Sequence, residues 1–146
     1  MRVITGTARG RRLNELKGKE TRPTADRVKE GMFNIIQFDI EGRRVLDLFG
    51  GTGQMGIEAL SRGAAHATFV DARTDAVKLI RENLALTDLA DRAAVLTADY
   101  ATVLSSAAEK YDLVFLDPPY ETKLLERSLE LISQFDILRE HGIIIC

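Results

Sequence analysis

The stretch RRVLDLFGGTGQMG, residues 43–56, decides how the rest of the chain is interpreted. Its first half is a short apolar run typical of a buried strand, and its second half is a glycine-rich turn that leads into a helix. Gly51, Gly53 and Gly56 complete the pattern G-x-G-x-x-G, which allows a ligand to approach the backbone closely. The stretch therefore predicts a strand, a ligand-binding turn and a helix, in that order.

Strand and helix signals alternate along the rest of the chain. The strand signals are RRVLDLF, HATFVD, AAVLTAD, YDLVFLD and GIIIC, and segments with helical periodicity separate them. This alternation predicts an α/β fold of the Rossmann-like type, with a mostly parallel, doubly wound sheet and helices on both faces. Ahead of the sheet, VITGTA and RRLNEL predict a small hairpin, and a helix capped by Thr24 is expected to run to about Gln37.

The composition restricts the class of protein. A chain of 146 residues suggests one domain with a sizeable core. It has no apolar run long enough to cross a membrane and no secretory signal, so no membrane partner is expected. The only cysteine is Cys146, which excludes an internal disulfide and favours a reducing cytoplasm. With only two histidines besides, no metal site is predicted.

Charge is distributed unevenly along the chain. Residues 1–29 carry nine basic and three acidic side chains, a net charge of +6, whereas the whole chain has a net charge of -2. A basic head on an acidic body indicates a polyanionic partner such as nucleic acid. Arg9, Arg11 and Arg12 lie around the tip of the predicted hairpin and are the candidate RNA contacts. A solvated surface hairpin is the alternative reading of the same charges.

Four of the predicted strands carry an acidic residue at or near the carboxyl end: Asp47, Asp71, Asp99 and Asp117. In a parallel sheet the carboxyl ends of the strands form one edge, and ligands bind beyond that edge. Asp71 or Asp99 alone could be an ordinary helix N-cap. Together, the four residues predict a row of acceptors for a ligand that carries donors and positive charge.

Two kinds of cofactor are compatible with the glycine turn. Asp71 follows Gly51 by 20 residues, the spacing of the ribose-binding acid in NAD-dependent oxidoreductases. Asp47 argues against that class, because a carboxylate at the mouth of the turn repels a pyrophosphate and attracts an ammonium group. S-adenosylmethionine combines an ammonium group, a ribose and an adenine, and is the favoured cofactor. A P-loop is excluded because no Lys-Ser/Thr pair follows the glycines.

The motif DPPY, residues 117–120, follows the fourth predicted strand. The exocyclic amine of a nucleobase is a poor nucleophile because its lone pair is delocalised, and two acceptors aimed at its hydrogens localise that lone pair. Asp117 and the carbonyl of Pro118 can supply the acceptors, and Pro119 helps to fix their direction. Tyr120 can stack on the base. A stiff strand-to-helix turn is the alternative.

Several segments together resemble the bacterial small-subunit ribosomal RNA guanine-N2 methyltransferases: GTARGRRL, TRPTADRVKEGMFNII, DLFGGTGQMGIEALSRGA, FVD and DPPY. The resemblance covers nearly the whole chain and implies a class I S-adenosylmethionine-dependent fold. It also implies a monomer that methylates one guanine of 16S rRNA within a largely assembled small subunit. The family commonly has DLFAGSGALG, from which Gly50, Thr52 and Gln54 depart, but Thr52 keeps the hydroxyl.

The resemblance also assigns roles to individual residues. The methionine part of the cofactor would be held by Asp47, Gly51 and Gly53. Asp71 would bind the ribose hydroxyls and Asp99 the adenine amine. The target base would be held by Asp117, Pro118, Pro119 and Tyr120, and Arg22 and Thr24 would lie against the cofactor end of the site.

Residues 1–24 are predicted to form a basic N-terminal hairpin extension, and residues 25–146 an S-adenosylmethionine-dependent methyltransferase domain. Because class I sheets have two further strands paired as a hairpin, we expect this domain to be C-terminally incomplete here. Two other functions stay open. One is methylation of adenine N6 or cytosine N4 in DNA, since DPPY occurs with those bases too. The other is a non-catalytic RNA-binding assembly factor, against which the intact Asp47 and Asp117 argue.

Overall fold

The computed structural model describes residues 1–16, 23–118 and 122–146, without the side chains of residues 23–25 and 122. Its regular elements follow the predicted alternation, with a short 3-10 turn at Ala90–Arg92 before the third strand. In chain order they are α1 (Pro23–Ile35), β1 (Arg44–Asp47), α2 (Gln54–Ser61), β2 (His66–Asp71), α3 (Thr74–Leu86), β3 (Ala93–Thr97), α4 (Tyr100–Ser106), β4 (Tyr111–Phe115), α5 (Thr122–Gln134) and β5 (Leu138–Ile145).

The five strands form one parallel sheet in the order β3-β2-β1-β4-β5. The chain runs outward from β1 to β3, returns to place β4 beside β1, and runs outward again to β5. This is a doubly wound sheet with its switch point between β1 and β4, the position where such sheets bind ligands. The predicted fold class is confirmed.

Helices cover both faces of the sheet, each over a separate hydrophobic core. On one face α1, α2 and α3 pack over β-strand residues such as Phe69 and Phe115, and Phe33 of α1 lies with its ring centroid 5.6 Å from that of Phe115. On the other face α4 and α5 pack over residues such as Leu46 and Val114. None of the helices among the described residues is long and apolar enough to cross a membrane.

The two arms of the N-terminal segment pair through one antiparallel bridge, between Arg2 and Arg12. The predicted hairpin is therefore minimal, and the chain inside it turns toward α2 instead of continuing as two strands. The amide of Thr7 donates to the carbonyl of Ser61 at 2.9 Å, and the amide of Ala8 donates to the Ser61 hydroxyl at 3.0 Å. Ala8 belongs to the same core as the α1–α3 face of the sheet, so this segment packs as part of the core.

Two element boundaries differ from the prediction. The first helix begins at Pro23, so Thr24 lies inside its first turn and does not precede it as a cap. Proline is favoured at the first helical position because its missing N–H needs no partner there. The last strand begins at Leu138, well before the apolar run, and a register irregularity between Tyr111 and Leu113 accommodates its polar first half.

Candidate active site

The turn after β1 is a closed loop of glycines. The amide of Gly50 donates to the carbonyl of Val70 at 2.8 Å, and the amide of Gly53 donates to the carbonyl of Gly50 at 2.8 Å. Gly51 and Gly53 have φ values of 60° and 84°, in the left-handed region that strongly favours glycine. The loop therefore has one defined conformation, which directs the chain into α2.

The glycines of this turn serve different purposes. A Cβ at Gly56 would lie 2.3 Å from an atom of the Phe69 ring, so this glycine allows α2 to pack closely on β2. A Cβ at Gly50 would lie 2.7 Å from Ile80 Cδ1. A Cβ at Gly51 would meet no atom within 4 Å. The left-handed φ of Gly51, and not packing, explains the glycine there, and the space beside it is open.

Asp47 ends β1 and is buried, with only 3% of its surface exposed. One carboxylate oxygen accepts a hydrogen bond from the amide of Gly56 at 3.2 Å, and no cationic side chain of the described residues pairs with it. The pKa of Asp47 is raised to about 7: burial is the largest cause, the Gly56 hydrogen bond opposes it, and the charges of Asp117 and Asp71 contribute to the rise. An ammonium group would relieve this uncompensated charge.

Asp71 ends β2 and holds the glycine loop from the neighbouring strand. One oxygen accepts a hydrogen bond from the amide of Gly51 at 3.1 Å, and the other accepts from the amide of Arg73 at 3.0 Å. The predicted contact with a ribose stays a prediction. The structure adds that Asp71 also orients the peptide before Gly51.

Asp99 is the N-cap of α4, where its carboxylate accepts a hydrogen bond from the amide of Ala101 at 3.1 Å. Asp99 therefore has the structural role of a helix N-cap, which was the alternative to a ligand contact. Its carboxylate is exposed, and its predicted contact with an adenine amine stays a prediction.

Asp117 and Pro118 follow β4 at the same edge of the sheet. Asp47 is level with Phe69 of β2 and Phe115 of β4, so Asp71 and Asp117 each lie two residues beyond it on the strands at either side. Asp117 is exposed and Pro118 is half-buried. Three acids of the predicted row, Asp47, Asp71 and Asp117, thus lie around the switch point, and the fourth, Asp99, follows the edge strand β3. Pro119, Tyr120 and Arg22 lie outside the described residues, as does the side chain of Thr24.

The three arginines predicted to contact RNA are all exposed, but they are not equivalent. Arg11 Nη1 donates to the carbonyl of Leu86 at 2.6 Å, at the C-terminal end of α3, where a cation is favoured. The side chains of Arg9 and Arg12 make no hydrogen bond or ion pair with any part of the chain that the structure describes. Arg11 therefore has a structural contact that its neighbours lack.

Sequence reasoning missed a buried ionic cluster that fastens the N-terminal segment. Glu58 of α2 is fully buried and accepts hydrogen bonds from the amides of Ile4 and Thr5 at 2.8 and 3.0 Å. It pairs with Lys29 at 3.2 Å and with Arg62 at 2.9 Å, and burial lowers the pKa of Lys29. The available signal was an acid on the apolar face of a short helix.

It also missed Asn83, a fully buried polar residue of α3. Its amide nitrogen donates to the carbonyls of Asn14 and Thr52 at 3.0 and 2.8 Å, and its oxygen accepts from the amide of Asn14 at 2.7 Å. Thr52 lies between the two left-handed glycines of the loop. The available signal was a polar residue within the apolar stripe of an amphipathic helix.

The doubly wound parallel sheet, the glycine loop after β1 and the acids at the ends of β1 and β2 define the fold of the class I S-adenosylmethionine-dependent methyltransferases. A solved structure described as "Putative methyltransferase yhhF from Escherichia coli" matches with a TM-score of 0.88 and 35% identity, over 99% of this chain and 79% of that one.

Over residues 1–146 the sequence matches the family model described as Conserved hypothetical protein 95. It is 43% identical to the Bacillus subtilis (strain 168) protein named "Putative rRNA methyltransferase YlbH", over 99% of this chain and 80% of that protein. It is 35% identical to "Ribosomal RNA small subunit methyltransferase D" of Escherichia coli (strain K12), over 99% of this chain and 72% of that protein. The chain belongs to this family of small-subunit ribosomal RNA methyltransferases.

Proposed function

We propose that the protein transfers a methyl group from S-adenosylmethionine to the exocyclic N2 amine of a guanine in 16S rRNA of the small ribosomal subunit. The observation that carries the proposal is the buried, uncompensated Asp47 carboxylate beside the open space at Gly51. The names of the relatives support ribosomal RNA as the substrate. The choice of guanine N2 rests on the resemblance of the DPPY motif.

The site fits S-adenosylmethionine, which supplies the methyl group on a positively charged sulfur when bound. Asp47 would receive the ammonium group, because a carboxylate held in a buried position gains most from a cationic partner. Gly51 and Gly53 would let the methionine part lie against the backbone. Asp71 and Asp99 would bind the ribose hydroxyls and the adenine amine. Arg22 and Thr24 would lie against the cofactor end of the site.

Asp117 and Pro118 would orient the attacking amine at the far side of the switch point. The Asp117 carboxylate accepts one hydrogen of the amine and the Pro118 carbonyl accepts the other, which directs the nitrogen lone pair toward the methyl group. After transfer, the extra proton on the nitrogen can pass to the Asp117 carboxylate, which is exposed and can release it to water. Pro119 would stiffen this arrangement and Tyr120 would stack on the base.

The basic N-terminal segment would hold the RNA backbone. The side chains of Arg9 and Arg12 are exposed and have no partner in the described chain, so they are available to phosphate oxygens. Arg11 is a weaker candidate, since it already binds the end of α3. The family resemblance supports the further proposal that the protein acts as a monomer in the cytoplasm.

The proposal is tested by mass mapping of 16S rRNA after incubation of the protein with labelled S-adenosylmethionine and under-methylated small subunits. We expect one methyl group on a single guanine, and none with the Asp117→Ala variant. Label on an adenine or cytosine of a DNA panel, with none on RNA, would overturn the proposal. So would a thermal shift with NAD but not with S-adenosylmethionine.

A further inference from the structure

Asn83 occupies an unusual place, because one buried side chain contacts two segments that are far apart in sequence. Its three hydrogen bonds join α3 to Asn14, which follows the basic arginines, and to Thr52 in the glycine loop. Nothing in the cofactor or base contacts described above requires this residue. Its contacts nevertheless link the segment proposed to hold RNA with the loop proposed to hold the cofactor.

On the loop side, Asn83 helps to fix a single peptide unit. The peptide between Thr52 and Gly53 has its carbonyl held by Asn83 at 2.8 Å and its N–H held by the Gly50 carbonyl at 2.8 Å. Rotation of this planar peptide would break both hydrogen bonds, so the two contacts oppose it. Without Asn83 only one anchor is left, in a loop whose flanking glycines have wide conformational freedom.

On the N-terminal side, Asn83 binds the backbone as a neighbouring strand would. Its carboxamide accepts from the N–H of Asn14 and donates to the C=O of the same residue, at 2.7 and 3.0 Å. Three residues earlier, Arg11 binds the Leu86 carbonyl, so this stretch lies along the end of α3. Displacement of the N-terminal segment would therefore disturb the Asn83 carboxamide, which also bonds to Thr52 in the glycine loop.

We propose that Asn83 is a positioning residue that couples RNA binding at the N-terminal segment to cofactor binding at the glycine loop. A ligand that stabilises either bonded segment stabilises the carboxamide arrangement that the other segment also needs, and therefore favours binding of the other ligand. By thermodynamic linkage, the cofactor raises the affinity for RNA by the same factor as RNA raises the affinity for the cofactor. This inference rests on the proposed function.

The test measures both affinities, each with and without the other ligand. The probes are under-methylated small ribosomal subunits and S-adenosylhomocysteine, the product, which cannot react. In the wild type we expect each ligand to tighten the other by about fivefold or more, the usual range for coupled sites. In Asn83→Ala the factor should fall to within about twofold of unity, because the shared contact is gone.

Two further variants separate coupling from stability. Thr87 is the buried C-cap of the same helix, and its hydroxyl donates to the backbone carbonyls of Asn83 and Leu84 but not to the Asn83 carboxamide, so Thr87→Val should lower stability and keep the coupling factor. Asn14→Pro removes the N–H that donates to Asn83 and leaves the Thr52 contact in place. It should lose coupling while its affinity for S-adenosylhomocysteine alone is unchanged, and it keeps the test valid if Asn83→Ala does not fold.

The outcomes distinguish this inference from the function on which it rests. A wild-type protein that binds neither ligand overturns both. A wild-type protein that methylates subunits but shows no coupling overturns the inference alone. So does a coupling factor that persists in Asn14→Pro and in a folded Asn83→Ala.

Discussion

The negative charge of the buried Asp47 should lower the free energy of unfolding, and the substitution Asp47→Asn tests this directly. The pKa of Asp47 rises from 3.8 to about 7 on folding. Each unit corresponds to about 1.4 kcal/mol, so the ionised carboxylate destabilises the native state by about 4 kcal/mol above pH 7. Asparagine has nearly the same shape, keeps an acceptor for Gly56 and carries no charge.

The sign of the pH dependence follows from proton binding. Between pH 4 and 7 the native state holds a proton on Asp47 that the unfolded chain has lost, so stability falls as pH rises through this window. The Asp47→Asn variant has no titrating group at this position, so its stability does not fall with pH for this reason. Its advantage in unfolding free energy over the wild type should grow by about 2–3 kcal/mol between pH 5 and pH 8.

Asp47→Asn should weaken cofactor binding, although it stabilises the folded protein. The variant replaces a charge-assisted hydrogen bond to the ammonium group by a neutral one, which weakens binding by about 1–3 kcal/mol. For the wild type, affinity should also fall as pH decreases below 7, because protonation of Asp47 removes the charge that the ammonium needs.

The assays are urea unfolding at each pH and titration calorimetry with S-adenosylmethionine. The chain has no tryptophan, so unfolding is best followed by circular dichroism. Asp112→Asn is the matched control, since Asp112 is also buried but accepts from the Arg44 amide at 2.8 Å and lies near Arg43 and Arg139. That variant should lose stability. If Asp47→Asn is no more stable than the wild type at pH 8 and binds the cofactor equally well, the reasoning is wrong.

Three further predictions concern the acceptor, the RNA and the packing of α2. Asp117→Ala should reduce methyl transfer by about 100-fold or more in single-turnover assays, with cofactor affinity nearly unchanged, because its partner is the base. The double variant Arg9→Ala/Arg12→Ala should make the slope of log K for RNA against log salt shallower by about 1.4, from roughly 0.7 per lost phosphate contact, at constant melting temperature. Arg11→Ala should instead lower the melting temperature, and a reversed pattern would contradict the assignment. Gly56→Ala should lower the unfolding free energy by about 1–3 kcal/mol, because its Cβ would lie 2.3 Å from a phenylalanine ring atom; unchanged urea unfolding would contradict this.

Much of the fold follows from local patterns in the sequence. Strand β2 spans His66–Asp71, as the run HATFVD predicts, because apolar runs and helical periodicity are properties of a few neighbouring residues. The rim of the site also follows, since parallel strands that end in acids must bring those acids to one edge. The sequence alone therefore predicts that the carboxylates of Asp47, Asp71 and Asp117 lie near one another.

Other features depend on contacts between residues that are distant in the sequence, and only the tertiary structure decides them. Asn14 and Asn83 are joined by hydrogen bonds although they are 69 positions apart in the sequence, and no local pattern relates them. The raised pKa of Asp47 likewise comes from burial beneath separate elements and from the charges at the ends of two other strands. Residue type and spacing determine which groups can meet at the edge of the sheet. Packing determines how deeply each group is buried and which partner it has, and these two factors set its pKa.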